Sequence, residues 1–168
     1  MSISMYEASV PVFTRYLGNL KAILQKAAAH AEAKKIDPAV LVNSRLFPDM
    51  LPLSRQVQLV SDMAKSCPSR LAGVEPPKFE DVESTIPQLL ERIDKTIAHL
   101  NTFKAEQIDG TENKPISLPT ARGPVNLQGL PYLVQFLMPN FFFHVTTTYD
   151  ILRHNGVELG KSDYLGWN

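Results

Sequence analysis

The chain has 168 residues, a length that suits one domain over 1–168 able to bury a core without a staple. Seventeen Lys plus Arg balance seventeen Asp plus Glu, so no net field draws in a polyanion, and neither nucleic acid nor a membrane surface is expected as a partner. A single cysteine, Cys67, excludes an internal disulfide and any multi-thiolate metal site within the chain.

The opening MSISMYEASV lacks the basic start and long apolar core of a leader, and no window reaches the roughly 18 apolar residues of a spanning helix, so the expected location is the cytoplasm. A first helix is expected from Ser4 or Ser9 to Lys35. Tyr6, Val10, Phe13, Leu17, Leu20, Leu24, Ala27 and Ala31 recur by fours and threes, the seam of a packed helix, with Pro11 near its start. Asp37 and Pro38 form an N-cap and first-turn pair for a short helix over 38–42. A second long helix is expected from Leu53 to Ala72 with Gly73 as a left-handed cap; Leu53, Val57, Val60, Ala64, Cys67 and Leu71 make its stripe, and Pro68 bends its last turn. Cys67 then reads as a small buried hydrophobe, since no histidine lies within a helical turn to activate it.

Residues 74–83 form an extended acidic connection. Ser84 or Thr85 caps a third helix reaching about Phe103, with Ile86, Leu90, Ile93, Ile97 and Leu100 inward and Glu80, Asp81 and Glu83 near its positive end. PISLPT and PVNLQG, on either side of Ala121, Arg122 and Gly123, alternate with period two and predict a β-hairpin between helices three and four. Were Ile116, Leu118, Val125 and Leu127 left uncovered, that ribbon would suit a protein partner. The fourth helix is expected from Gly129 to Asn155 and Gly156, kinked at Pro139, with Leu133, Leu137, Asn140, His144, Thr147 or Thr148, and Ile151 on its inward stripe. Phe141, Phe142 and Phe143 spread over about 200° of its circumference, more apolar arc than one core needs, which points to a second packing surface. Tyr164, Leu165 and Trp167 are expected to dock back as a tail.

Motifs for dinucleotides, nucleoside triphosphates, serine hydrolysis, zinc proteolysis and calcium loops are missing, as is the Glu-x-x-His of a di-iron bundle. His30, His99 and His154 lie near helix ends, where a partly exposed histidine meets the negative end of the dipole. His144 is read inward, with Asn140 and Thr148 one turn to either side, and burying three unpaired polar side chains would cost about 1–3 kcal/mol each. The three therefore imply a satisfied structural network, a small-molecule or catalytic pocket, or part of a metal site.

The order of the helices, the stretch SRLFPDMLPLSRQVQLVSDMAK and the ending PNFFFHVTTTYDILRHNGVELGKSDYLG resemble a bacterial family of unknown function within the DinB/YfiT-like superfamily of metalloenzyme-type bundles. The resemblance spans essentially the whole chain and implies an all-α, DinB-like four-helix bundle with a short extra helix and the small hairpin, commonly a homodimer. It also implies a zinc- or nickel-type divalent ion held by one histidine on the second long helix and an H-x-x-x-H pair on the last, with an open position for water or a thiol. His144 matches the first histidine of that pair, but the second position is Thr148, and the second long helix offers Asp62 or Met63. The resulting expectation is a bundle without the full metal triad, homodimeric through its last helix, whose pocket around Asn140, His144, Thr148 and Asp62 is structural or takes a small molecule. The alternative is a metal-dependent hydrolase or thiol transferase.

Overall fold

The computed structural model describes residues 3–119 and 123–167; Ala121 and Arg122 of the expected hairpin turn lie outside the described residues. Four long segments make the bundle. Helix α1 (Val10–Lys34) starts after Ser9, one of the two expected starts, and buries Val10, Phe13, Leu17, Leu20, Ile23, Leu24, Ala27 and Ala31. Helix α2 (Pro38–Asn43) follows a turn in which the Asp37 carboxylate accepts from the Ala39 amide. Helix α3 (Leu53–Ala72) ends at Gly73 with φ +80°, a left-handed conformation that glycine adopts without a Cβ penalty. All six apolar residues expected on its stripe are fully buried, and Pro68 is accommodated inside the helix without ending it.

Helix α4 (Ile86–Leu100) opens with a capping box between Thr85 and Gln88. Its inward face is Ile86, Leu89, Arg92, Ile93, Thr96 and Leu100, whereas Leu90 and Ile97, expected inward, are only partly covered. A single-turn helix, α5 (Ala105–Ile108), leads to strands β1 (Pro115–Leu118) and β2 (Val125–Gln128), an antiparallel pair with Ile116 opposite Leu127 and Leu118 opposite Val125. Ile116 and Leu118 are buried against the bundle and Leu127 is partly buried, leaving Val125 on the outer edge. The hairpin is thus largely covered by its own chain.

The last long segment is the one that differs most from its expected form. A turn, α6 (Gly129–Pro131), enters a π-helical stretch over Tyr132–Leu137, and only then does α7 (Met138–His154) begin. Pro139 has no N–H to give to the carbonyl four residues back, and the preceding residue, Met138, donates instead to Leu133, five back. The junction of π turn and α-helix therefore falls where a kink was expected. Leu133, Leu137, Phe141 and Val145 are buried at successive steps of four, followed by Thr148 and Leu152. In an unbroken α-helix each such step would drift by about 40°. The wider π turn absorbs part of that drift and carries the inward face from Asn140 and His144 to Phe141 and Val145.

Helix α3 packs between α4 and α7, and α1 lies against α4, α7 and the terminal helix α8 (Lys161–Leu165). Phe141 enters the core against Phe13 at 4.9 Å, while Phe142 is covered by Tyr16, which also meets Tyr164 of α8. Much of the extra aromatic arc of α7 is thus met by the tail of the same chain. Tyr164 docks as expected, with its carbonyl accepting from Asn19, but Trp167 remains 71% exposed. Gly129 admits no side chain: a Cβ there would lie 2.0 Å from the Thr111 carbonyl oxygen.

Candidate functional site

His144 sits on the flank of α7 that faces the start of α3, partly buried, with the Phe143 ring edge-on at 5.2 Å. Its Nδ1 lies 2.6 Å from Oε1 of Gln56 on α3. The protonation pattern follows from one backbone group. The Leu51 carbonyl can only accept, and it takes a hydrogen bond from Gln56 Nε2 at 3.0 Å, so the amide nitrogen must face Leu51 and the amide oxygen must face His144. That oxygen also only accepts, so His144 Nδ1 carries the proton and Nε2 keeps its lone pair. Burial holds the imidazole below its ordinary pKa, which favours this neutral form.

Asn140 and Thr148 do not join His144 in a shared side-chain network. Asn140 Nδ2 donates to the Phe136 carbonyl, and the fully buried Thr148 donates Oγ1 to the His144 carbonyl at 2.8 Å. Both hydroxyl and amide are satisfied by the helix backbone one turn earlier. Asp62 is elsewhere: it pairs with Lys65 and Arg92, each at 2.8 Å. Six residues of α3 separate it from Gln56, about 9 Å along the axis and about a third of a turn away in azimuth.

Gln56, which sequence reasoning passed over, is thus the residue that addresses His144. The signal was present, because position 56 completes the apolar series 53, 57 and 60 at helical spacing, and an amide there must find a partner. Arg92 was missed in the same way. It is 2% exposed, and its guanidinium donates to Glu83 at 3.0 and 3.1 Å, to Asp62 at 2.8 Å and to the Glu80 carbonyl at 3.0 Å, with Asp81 also at 3.0 Å. Of the acidic cluster just before α4, Asp81 and Glu83 meet this arginine with their carboxylates and Glu80 with its backbone carbonyl, and Asp81 also meets Arg55.

The expected zinc- or nickel-type ion can be tested against this donor set. His144 Nε2 is one nitrogen donor; Gln56 Oε1 is engaged by Nδ1–H, Thr148 by a backbone carbonyl, and Asp62 by two cations. Among the described residues, no group of three or more His, Cys, Asp or Glu side chains is placed to hold a metal. The residues do not fit such an ion, for which about three protein ligands are needed at an open site. A serine–histidine pair elsewhere is no nucleophile: fully buried Ser69 gives its proton to the Lys65 carbonyl and accepts from His99 Nε2 at 2.9 Å. Cys67 is buried, with its thiol pKa pushed far up by burial, as befits a core residue.

No described helix is long and apolar enough to cross a membrane. A search among curated proteins finds no match. A crystal structure of a DinB family member protein from Shewanella denitrificans is similar over 96% of this chain and 91% of that one, at 44% identity and a TM-score of 0.90. The model of a family described as a domain of unknown function, DUF1993, matches residues 5–165. With the fold and the sequence in agreement over nearly its whole length, the chain belongs to the DUF1993 family and has a DinB-like fold.

Proposed function

We propose that the chain is a binding protein of the DinB-like type, in which His144 takes a small molecule that donates a hydrogen bond, without a metal ion. The observation that carries this reading is the relay from the Leu51 carbonyl through Gln56 to His144 Nδ1. It fixes the tautomer and leaves Nε2 as an acceptor on the partly buried flank of α7, beside the exposed Phe143. A neutral imidazole of this kind selects hydroxyl, amine or thiol donors over carboxylates.

One feature also favours the competing reading, a metal-dependent hydrolase or thiol transferase. Metal-bound histidines are held in the same way, with the second ring nitrogen donating to an oxygen. Elemental analysis of protein purified without chelator separates the two. Less than a tenth of an equivalent of zinc or nickel in wild type and in His144→Ala supports the binding reading. Stoichiometric metal in wild type, lost in His144→Ala, overturns it. A screen of small alcohols, amines and thiols by NMR then completes the test: saturable shifts at His144 that vanish in His144→Ala are expected, and no saturable shift with any donor class contradicts the proposal.

We also propose that two copies associate through the last helical segment. Leu130, Val134, Phe136 and Phe143 along it are 37–55% exposed, a large apolar display for one segment. Sedimentation at micromolar concentration should give a dimer for the wild type and a monomer for Phe143→Asp; a wild-type monomer contradicts this reading.

A further inference from the structure

The strap that joins α3 to α4 stands away from the bundle along its first half, and a cleft of about 520 Å3 lies between residues 75–80 and the outer face of α3. That is an ordinary size for a small-ligand site. Its floor contains Lys65, Ser66 and Arg70, three donors within little more than one helical turn.

Lys65 is 6% exposed, and a buried ammonium needs partners for three donors. Asp62 takes one at 2.8 Å, and the Phe79 ring covers another side with its centroid 5.3 Å from Nζ. Asp62 is already shared with Arg92, and among the described residues nothing further meets the ammonium. Ser66 is 8% exposed, and its hydroxyl has no hydrogen-bond partner among the described residues. The Arg70 guanidinium gives Nη1 to the Tyr132 hydroxyl at 3.3 Å and meets no carboxylate at ion-pair distance among the described residues. Lys78 lines the cleft from the strap. The opposing charges are Asp62, which also lines the cleft and is already paired with Lys65 and Arg92, and Glu75 and Glu80, both exposed at the rim, where water and salt screen them far more than the buried floor.

We propose that this cleft binds a small oxyanion, the carboxylate or phosphate group of a metabolite, on Lys65, Ser66 and Arg70. An ammonium, a hydroxyl and a guanidinium converging from one helix face form a charge-assisted donor set for such a group. The wall is held in place by Arg92, whose guanidinium grips the Glu80 carbonyl and the Glu83 carboxylate. The site is separate from His144: ten residues of α3, about 15 Å along its axis, lie between Gln56 and Ser66.

The test is a titration of the full chain with sodium phosphate and with sodium acetate, against sodium chloride at matched ionic strength, followed by amide NMR shifts and melting temperature. Saturable shifts confined to residues 62–80 and a raised melting temperature are expected. Saturation by both anions identifies a carboxylate-tolerant site, and by phosphate alone a phosphate site. Arg70→Gln and Ser66→Ala, each retaining the wild-type circular dichroism, should weaken binding about tenfold or more. A response no different from chloride, or saturable binding unchanged in both variants, overturns the proposal.

Discussion

Replacing Arg92 with methionine keeps the buried stem and removes the charged head. The Arg92 side chain is 1% exposed, and loss of its guanidinium leaves Asp62, Asp81 and Glu83 to be satisfied by others. Asp62 retains Lys65 and Asp81 retains Arg55, and both carboxylates are about a third exposed, so water and the remaining cations take up much of the difference. Glu83 is the costly one. Its side chain is 12% exposed and would keep only Gln58 Nε2, at 2.8 Å. Breaking a buried pair from one side costs about 3–5 kcal/mol, and with two of three carboxylates partly solvated the lower end, about 3 kcal/mol, is expected. For a chain of this size that is a fall in melting temperature of about 6–12 °C. Urea unfolding followed by circular dichroism reads it directly. The double change Arg92→Met with Glu83→Leu should recover part of the loss, because an apolar pair replaces a buried ion pair at little net cost. A loss under about 1 kcal/mol for the single change, or a double no more stable than the single, would refute the reasoning.

Three further outcomes follow from burial. His99 and His144 both have pKa values lowered from 6.5, chiefly by burial, so the unfolded chain takes up protons first as pH falls below 6.5. Stability should therefore decline between pH 6.5 and 5 and hold steady above 7, and a His99→Gln, His144→Gln chain should lose most of that decline; unchanged urea midpoints from pH 7 to 5 in the wild type would contradict this. Cys67 is fully buried with its thiol pKa raised, so it should resist a thiol reagent at pH 8 and react at the rate of unfolding; fast labelling of the native protein would contradict its core assignment. Gly129→Ala must move the Thr111 carbonyl, 2.0 Å from the new Cβ, and should cost about 2–3 kcal/mol by urea unfolding, against under about 0.5 kcal/mol if the contact is soft.

Most of the fold was legible because it rests on local rules. The α3 stripe, the Gly73 cap, the Asp37 cap and the hairpin strands each depend on residues within a few positions of one another. What was not legible depends on long-range partners. The π turn before α7 shifts the inward register by one residue, so Asn140 and His144 move to a flank and Phe141 and Val145 take the core. Nothing in a 3.6-residue period reveals that shift in advance. Arg92 drew no notice in the sequence because its four carbonyl and carboxylate partners come from α3 and the strap, up to 30 residues away. His144 stands out in the sequence by its register, whereas its partner Gln56 lies 88 residues earlier. An apolar stripe interrupted by one amide marks a cross-helix contact, but the sequence does not say with whom.

The protonation state of His144 is the most direct measurement of the site. Long-range 1H–15N correlation spectra at pH 7.5 should show a neutral ring with the proton on Nδ1 and a free Nε2, and Gln56→Leu should shift the ring toward the Nε2–H tautomer. A ring protonated on Nε2 in the wild type, or a tautomer balance indifferent to Gln56→Leu, would contradict the relay from Leu51 through Gln56 on which the binding role of His144 rests.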